Sequence, residues 1–461
     1  MRFVALDPEP ILVASGVLTP LGTGVEFMAR KGRSAGANRD GSAMPPIAEK
    51  TNSPLIRDPG LATSLSGGSH STLSRESIAG RGAKDFDSDR ETEAPRGATV
   101  PGDLAALCGE APLKLRRMDR YGALGFTAAR LAMRGAPRGP EGKGDPDWGV
   151  LVGSRQACWC STAAYFLDLC ARAPIDLSPA VFARSVSNTV NGEVSIAHSI
   201  GGISETFISG WESGAEAIAA ACAALAEGRA RWILAGGVEA PEPALTKLHE
   251  ARAREVSMAW LPATLCEGAG FCLLTSEAAA ADPASPVVLA YARAFDPQYR
   301  WSLAGAVDAL WPTRIGAVIV ANTVPPDLLV RWKNEAGDAF VIVLPELTGE
   351  IGAAGGAVAM ALAAAALSTG GLGTFGMRPG AWPPTAPPAP QPLTMTNGTV
   401  PAVGRPVTKV APTGTADRVD PSTASETVPD KTQDCVLVIA RGAEGGTVVV
   451  ALGRGGSWRR S

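Results

Sequence analysis

The sequence contains little histidine and few aromatic side chains. Among 461 residues there are 3 His, and Phe, Trp and Tyr together make up 5%. The formal charge of −3 gives no global electrostatic reason to expect nucleic acid or an anionic membrane as a partner. The eight cysteines form no CxxC pair, and the closest two, Cys158 and Cys160, have one residue between them. We therefore expect reduced, mostly buried thiols, with no metal site and no cofactor.

Targeting signals and long apolar segments are also missing. The N-terminal residues MRFVALDPEP contain no basic region followed by an apolar run, so the sequence predicts no signal peptide. The most apolar stretch, Ala357 to Leu367, is mostly alanine and too short to span a bilayer. These absences predict a soluble cytoplasmic protein.

What the sequence does contain is enough apolar material, 46% of residues, for a large core arranged as alternating strands and helices. Several apolar runs are nearly continuous Val, Ile and Leu, as expected of strands covered on both faces. The predicted strands are 11–16, 148–154, 232–239, 270–277, 286–295, 316–322, 340–346, 435–442 and 447–453, and the predicted helices are 118–133, 215–227 and 357–368. This alternation predicts an α/β fold with mainly parallel sheets. Because the strands fall into two successive sets, we expect an internal duplication, with halves at 1–280 and 281–461.

Two segments do not fit this pattern. Residues from about 30 to 102 are rich in Ser, Gly, Pro, Asp and Arg, and residues from about 379 to 434 are rich in Pro and Thr. Neither has a sustained apolar period, so both are interpreted as long insertions that stay disordered or extended.

The segment FISGWESGAEAIAAACAALAEGRARWILAGG, residues 207–237, predicts a tight turn, a helix and a buried strand. A turn that leads into a helix N-terminus is a favoured position for a nucleophile, because unpaired N–H groups and the helix dipole stabilise negative charge there. Trp211 occupies the tip of this turn, and an indole can neither attack a carbon atom nor carry a proton.

The order of motifs along the chain resembles the β-ketoacyl synthase family of the thiolase superfamily. The fragments that carry the resemblance are ILVASGVLTPLGTG (11–24), LRRMDRYGALGFTAARLAM (115–133), WGVLVGS (148–154), FARSVSNTVNGEVSIAHSIGG (182–202), GRARWILAGGVEA (228–240), LCEGAGFCLLTSE (265–277), LTGEIGAAGGAVAMALAAAAL (347–367) and ARGAEGGTVVVAL (440–452). Each fragment alone is weak, but together they follow the family's order over nearly the whole chain outside the insertions. The resemblance implies a thiolase-like fold of two duplicated βα halves in α-β-α-β-α layers. It also implies a dimer interface near the tight turn that carries Trp211 and leads into the helix, which we call the elbow.

The resemblance also implies a catalytic Cys and two His, and the matching positions carry other residues. The nucleophile position is Trp211, the first His position is Ala321, and the second falls at or beside Glu350. The family's Lys falls on or near Pro345. Its gating Phe corresponds to Ala443 or Glu444, and its Asn corresponds to Val448. We expect Trp211 to fill the ancestral pocket.

Other residues could supply chemistry in principle. His70 lies in the first insertion, His198 before the elbow and His249 after a strand, and none has the turn context of a catalytic His. Cys222 and Cys272 are expected to pack in the core.

The remaining alternatives flank the pocket or the elbow. Cys158 and Cys160 follow the Gly-Ser turn that approaches the family pocket, and Glu212 and Ser213 adjoin Trp211, but no partner His is evident. Glu350 has a plainer interpretation as a carboxylate near a helix N-terminus.

The loss of every catalytic position predicts a non-catalytic subunit similar to chain-length factors, which pair with an active synthase. We therefore expect a heterodimer with an active β-ketoacyl synthase (a homodimer is the alternative), contact with an acyl carrier protein, and an interface at 180–199. Chain-length factors usually carry Gln at the elbow, so Trp211 departs from their pattern. Two alternatives stay open: a divergent acyl-condensing enzyme that uses Cys158, Cys160 or Ser213, and a scaffold that binds an acyl carrier.

Overall fold

A computed structural model describes residues 4–20, 22–23, 99–171, 177–242, 245–248, 251, 265–295, 314–337, 339–368, 434–443 and 445–454. Most of the two predicted insertions lies outside the described residues: residues 30–98 of the one at about 30–102, and residues 379–433 of the one at about 379–434. His70, His249 and Glu444 also lie outside them.

The described chain alternates strands with helices. The strands are β1 (Val4–Ala5), β2 (Ile11–Thr19), β3 (Gly22–Thr23), β4 (Trp148–Gly153), β5 (Ser204–Phe207), β6 (Trp232–Glu239), β7 (Gly268–Thr275), β8 (Val287–Phe295), β9 (Arg314–Val320), β10 (Phe340–Val343), β11 (Asp434–Arg441) and β12 (Gly446–Gly453). The helices are α1 (Leu104–Cys108), α2 (Pro112–Leu115), α3 (Arg120–Arg134), α4 (Trp159–Ala171), α5 (Pro179–Arg184), α6 (Thr189–His198), α7 (Ser213–Ala226), α8 (Pro326–Glu335), α9 (Leu344–Thr348) and α10 (Ala354–Ser368).

The main sheet consists of two sets of five strands with the same internal order. The first set runs β2-β7-β6-β4-β5 and the second runs β8-β12-β11-β9-β10, and β2 and β8 are joined by one residue pair, Ile11 with Val287. Within each set the first, second and third strands are antiparallel neighbours, whereas the third, fourth and fifth are parallel. The repeated order confirms the duplicated α/β fold. The prediction of mainly parallel sheets is wrong, because the last strand of each half enters antiparallel to both its neighbours.

Alternating side chains of each strand face different layers of the core. In β6, Ile233 and Ala235 belong to a central apolar cluster, whereas Trp232 and Leu234 belong to an outer cluster with α3. In the second half a third cluster packs Trp332 of α8 against the far face of that half. The order of layers is therefore α3, first half of the sheet, α7 with α10, second half of the sheet, and α8. This is the predicted α-β-α-β-α architecture.

The central layer is possible because its helices are made of small residues. Nearly every residue of α10 is buried, and α10 packs against β6, β7, β11 and α7. Backbone atoms approach so closely that a Cβ on Gly214 of α7 or on Gly237 of β6 would lie 2.1 or 2.0 Å from the carbonyl oxygen of Ala353. Glycine at both positions is required for this contact, which ties the elbow helix to the start of α10.

Most of the strand predictions match the structure within two residues, and two local differences have a clear physical cause. The run predicted as a strand through Glu346 ends at Val343, because Pro345 cannot donate a ladder hydrogen bond and instead occupies the first turn of α9. The sequence analysis also missed β5, a short edge strand of sequence SETF with little apolar character. The division of the chain at residue 280 stays a prediction. Within the described residues, no helix combines the length and apolarity needed to cross a membrane.

Candidate functional site

The elbow between β5 and α7 is held by its own side chains. Gly210 adopts φ of +140°, which makes the turn possible. The hydroxyl of Ser213 accepts hydrogen bonds from the backbone N–H of Ser209 (3.0 Å) and Gly210 (2.9 Å), and donates to the carbonyl of Gly210 (2.6 Å). Ser213 is fully buried. Its hydroxyl is therefore committed to fixing the turn, and it is not available as the nucleophile that the sequence analysis left open.

Trp211 lies in the interior with 1% of its surface exposed. The guanidinium of Arg155, from the turn after β4, lies 5.8 Å from the centroid of the indole ring, within the range of a cation–π contact. Among the described non-glycine residues only Ala157 and Ser199 have positive φ. The strained backbone typical of a nucleophile at such a turn is thus absent at Trp211. The residue with positive φ in this turn is Gly210.

Glu212, the next residue, has a buried side chain that reaches the turn between β11 and β12. A Cβ on Gly442 would lie 2.1 Å from Glu212 Oε2, and a Cβ on Gly446 would lie 1.7 Å from Oε1. Both glycines therefore leave room for the carboxylate. This turn is the region that the sequence analysis matched to the family's gate and Asn positions, where Ala443 and Val448 stand.

The two positions matched to histidines lie in segments that are joined by hydrogen bonds. Ala321 directly follows β9, and the amide of its neighbour Asn322 donates to Glu350 Oε1 at 3.1 Å. Glu350 also accepts from the backbone N–H of Thr323 (2.6 Å) and Gly352 (2.9 Å). Burial raises the pKa of Glu350, and these donors oppose the rise. Glu350 lies four residues before α10 and is buried, and its carboxylate joins the end of β9 to the α9–α10 turn, so its interpretation as a carboxylate near a helix N-terminus stays a prediction.

A third buried carboxylate, Glu239 at the end of β6, was not predicted from the sequence. Its Oε2 accepts from the backbone N–H of Arg155 (3.3 Å) and of Ala353 (3.2 Å). Burial raises the pKa of Glu239 to about 7, although the charge of Arg155 and these N–H donors oppose the rise. The sequence signal was a lone acidic residue closing an apolar strand, and its partners come from segments far away in the chain.

The structure brings the chain segments that carry the three matched positions close to residues 350–355. Glu350 belongs to this stretch, and the carbonyl of Ala321 lies 2.5 Å from where a Cβ on Gly355 would stand. The elbow helix reaches the same stretch through Gly214 and the carbonyl of Ala353. The matched positions themselves carry an indole, a methyl group and a carboxylate, and none of them carries a thiol or an imidazole.

The other thiols and the described histidine lie in environments that keep them neutral. Burial and the nearby charge of Asp119 raise the pKa of Cys158, and partial burial of its sulfur with Glu242 nearby raises the pKa of Cys160 to about 11. Burial raises the pKa of Cys222, and that of Cys272 to about 12. All four thiols are therefore protonated at neutral pH, which disfavours nucleophilic attack.

His198 lies at the end of α6, where burial and the charges of Arg130 and Lys114 lower its pKa to about 4. It lies outside the chain segments that carry the three matched positions. Pro345 begins α9 instead of supplying a lysine ammonium group. Among the described residues, no group of three or more His, Cys, Asp and Glu could hold a metal ion.

Comparisons with known proteins agree on the fold. The family described as "Beta-ketoacyl synthase, N-terminal domain" matches residues 65–280. A search of the curated proteins found no match.

Three similar solved structures cover nearly all of this chain. "The ishigamide ketosynthase/chain length factor" matches with a TM-score of 0.59 and 19% identity, covering 97% of this chain and 100% of that one. "AntDE:AntF (apo): type II PKS acyl-carrier protein in complex with its ketosynthase bound to the hexaketide" matches with a TM-score of 0.60 and 14% identity, covering 98% of this chain and 99% of that one. A β-ketoacyl synthase from Burkholderia phymatum STM815 matches with a TM-score of 0.55 and 16% identity, covering 97% and 99%.

Proposed function

We propose that this chain, a member of the β-ketoacyl synthase family, is a catalytically inactive subunit that pairs with an active synthase in the manner of a chain-length factor. The complex would extend an acyl chain held by an acyl carrier protein in polyketide or fatty acid biosynthesis. The observation that carries the proposal is the buried Trp211 at the elbow, the position where the family chemistry requires a thiolate.

The chemical argument rests on the loss of all three groups together. Thioester exchange needs a nucleophile and donors for the oxyanion, and decarboxylation needs groups that stabilise the enolate. Trp211, Ala321 and Glu350 can perform neither step. An indole also occupies on the order of 200 Å² of surface, which removes the space for a thioester at the elbow. Ser213 is committed to the turn and the thiols of Cys158 and Cys160 are protonated, so none of these three side chains is an activated nucleophile.

The surface supports a partner, because one helix exposes nearly all of its apolar residues. In α4, with sequence WCSTAAYFLDLCA, only Ser161 is buried. Phe166 and Leu167 are 57% and 71% exposed, and Phe182 of the neighbouring α5 is also exposed. Tyr165 connects the two helices through a ring contact with Phe182 at 5.4 Å. Contiguous exposed apolar side chains of this kind mark protein interfaces.

The same side of the molecule ends in an unpaired sheet edge. Strand β5 pairs with β4 and has no other partner strand among the described residues. Helix α6 is fixed beside it, because Asn191 bonds to the carbonyls of Val150 and Glu205. Ile196 on α6 is 83% exposed and Ile208 just after β5 is also exposed. We name the exposed residues of α4, α5, α6 and β5 the α4–β5 face, and it overlaps the predicted interface at 180–199.

The similar solved structures support this kind of partner. One is a ketosynthase with a chain-length factor, and another is a ketosynthase with its acyl carrier protein. A heterodimer that includes this chain would cover the α4–β5 face and leave condensation to the partner's Cys and His residues.

The test is coexpression with a synthase that carries the Cys and both His and is encoded beside this chain. We expect a 1:1 complex in solution that condenses malonyl-carrier units, while this chain alone does not. The double variant Phe166→Asp, Leu167→Asp should weaken the complex about tenfold or more. Val330→Asp, at an exposed position of α8 away from the α4–β5 face, is the matched control and should leave the complex intact.

Two outcomes would contradict the proposal. If this chain alone condenses acyl groups, the divergent-enzyme alternative is correct. If it binds an acyl carrier protein but no synthase, it is a scaffold.

A further inference from the structure

We propose that Glu212 is a positioning residue that fastens the β11–β12 turn to the elbow, so that the elbow stays closed even when Trp211 is removed. This inference goes beyond the proposed function, because it concerns a second contact that closes the elbow. This contact does not depend on a partner or on the identity of the substrate.

The first argument is steric. The carboxylate of Glu212 lies in a slot made by three glycines, one from the elbow and two from the β11–β12 turn. Cβ atoms on Gly210, Gly442 and Gly446 would lie 2.6, 2.1 and 1.7 Å from its carboxylate oxygens. Real Cβ atoms do not approach other atoms this closely, so the slot exists only because all three side chains are absent. The fit is specific to a long side chain at residue 212.

The second argument is electrostatic. Glu212 is buried, and a buried carboxylate is costly unless an opposite charge or hydrogen bonds compensate it. Arg441, which directly precedes Gly442, is also buried and donates to Thr447 Oγ1 at 2.5 Å. A buried acid and a buried guanidinium thus occur at the same turn.

Backbone hydrogen bonds link the glycines around the Glu212 carboxylate to one another. The N–H of Gly442 donates to the carbonyl of Gly446 at 2.9 Å, and the N–H of Gly445 donates to the carbonyl of Gly442 at 3.2 Å. Directly below, Arg441 and Thr447 are paired across the two strands. A contact made by Glu212 therefore acts on the linked glycines Gly442, Gly445 and Gly446 together.

The contact of Glu212 is separate from that of Trp211. The indole faces Arg155, which comes from the turn after β4, whereas the carboxylate faces the turn after β11. Two adjacent residues thus connect the elbow to two different elements. Removal of the indole alone leaves the second connection in place.

The decisive experiment measures access of a small reagent to a thiol at the elbow. Trp211→Cys is introduced into a background in which the two exposed cysteines are removed by Cys160→Ser and Cys170→Ser. Iodoacetamide labelling of the introduced thiol is followed by peptide mass spectrometry, with and without Glu212→Ser. We expect labelling to be at least tenfold faster with Glu212→Ser. Equal rates in the two proteins, within twofold, would overturn the proposal.

A stability measurement tests the same contact if the Trp211 variant does not fold. Gly446→Ala should lower the melting temperature in the native background, because its Cβ collides with Glu212. The same substitution should cost much less after Glu212→Ser, which empties the slot. Gly192→Ala is the control, because nothing lies within 4 Å of its added Cβ and its effect should not depend on residue 212. Equal losses for Gly446→Ala in both backgrounds would contradict the steric argument.

Discussion

The elbow and the α4–β5 face differ in the burial of their large apolar side chains. At the elbow, where catalysis by β-ketoacyl synthases needs an open space, Trp211 is 1% exposed and the glycines of the neighbouring turn lie close around Glu212. On the α4–β5 face, where an isolated protein gains by hiding apolar groups, Phe166, Leu167 and Ile196 are left in solvent. The large side chain at the elbow is buried, whereas those on the α4–β5 face are exposed.

The filled elbow and the exposed face have different consequences for an isolated chain. A filled elbow contributes to stability by packing, and under the proposed function it leaves no room for a thioester. An uncovered apolar face costs solubility unless another chain covers it. Together they fit a subunit whose contribution is made through contact with a partner, and the predictions below separate the two regions.

The largest effect is expected from truncating the buried indole. Trp211→Ala should lower the free energy of unfolding by about 3–5 kcal/mol, because it removes a large side chain from a packed interior and leaves a cavity. Trp159→Ala is the matched control, because Trp159 lies on the α4–β5 face and is 44% exposed. Urea denaturation of the two variants measures the comparison directly. Similar losses in both would mean that Trp211 does not pack as described.

The next effect is a dependence of stability on pH that comes from Glu239. Burial raises its pKa from 4.5 to about 7 in the folded protein, so the folded state binds the proton more tightly than the unfolded chain does. The resulting stabilisation is fully present below pH 4.5 and is lost as the pH rises through 7, and the shift corresponds to about 3 kcal/mol. Burial of Glu350 acts in the same direction. Urea midpoints at pH 5 and pH 8 should differ less in Glu239→Gln, and an unchanged difference would exclude Glu239 as the source.

A smaller effect is expected at Glu350. Glu350→Ala leaves the N–H of Thr323, the N–H of Gly352 and the amide of Asn322 without an acceptor, and an unsatisfied buried donor costs about 1–3 kcal/mol. Glu350→Gln keeps an acceptor oxygen and should retain most of the stability. Thermal unfolding of the pair tests this ordering. If the two variants are equally unstable, the negative charge and not the acceptor is what the site requires.

The smallest effect is expected from the exposed thiol on the α4–β5 face. Cys160→Ser should change stability by less than about 0.5 kcal/mol, as is usual at the surface, and should leave condensation by the complex with a synthase unchanged. A loss of condensation with an intact complex would revive Cys160 as a nucleophile.

The fold was predictable where the apolar pattern is continuous. Strand β6 was predicted with its observed bounds, because buried strands of an α/β sheet are apolar along their whole length. Strand β5 and helix α4 were missed for related reasons: β5 is polar and at the edge, and α4 is apolar but exposed. Neither element shows the apolar periodicity of a strand or helix that packs on the core of its own chain, so the sequence pattern does not predict them.

The candidate site was predictable only in part. The sequence motifs placed Trp211, Ala321 and Glu350 as matching positions, and the structure brings their segments to one turn. Glu239 could not be identified, because its donors come from Arg155 and Ala353, which are far away in the chain. The slot around Glu212 likewise depends on glycines more than two hundred residues away, and only the fold brings these residues together.

The central claim is that this chain accepts no acyl group, and intact-protein mass spectrometry tests it most directly. The purified chain is incubated with an acyl-carrier thioester, alone and in complex with its synthase, with Cys160→Ser included to exclude surface acylation. Our account predicts no mass increase on this chain in either sample and an acyl adduct on the synthase. A stoichiometric acyl adduct on this chain, retained in the Cys160→Ser variant, would contradict it.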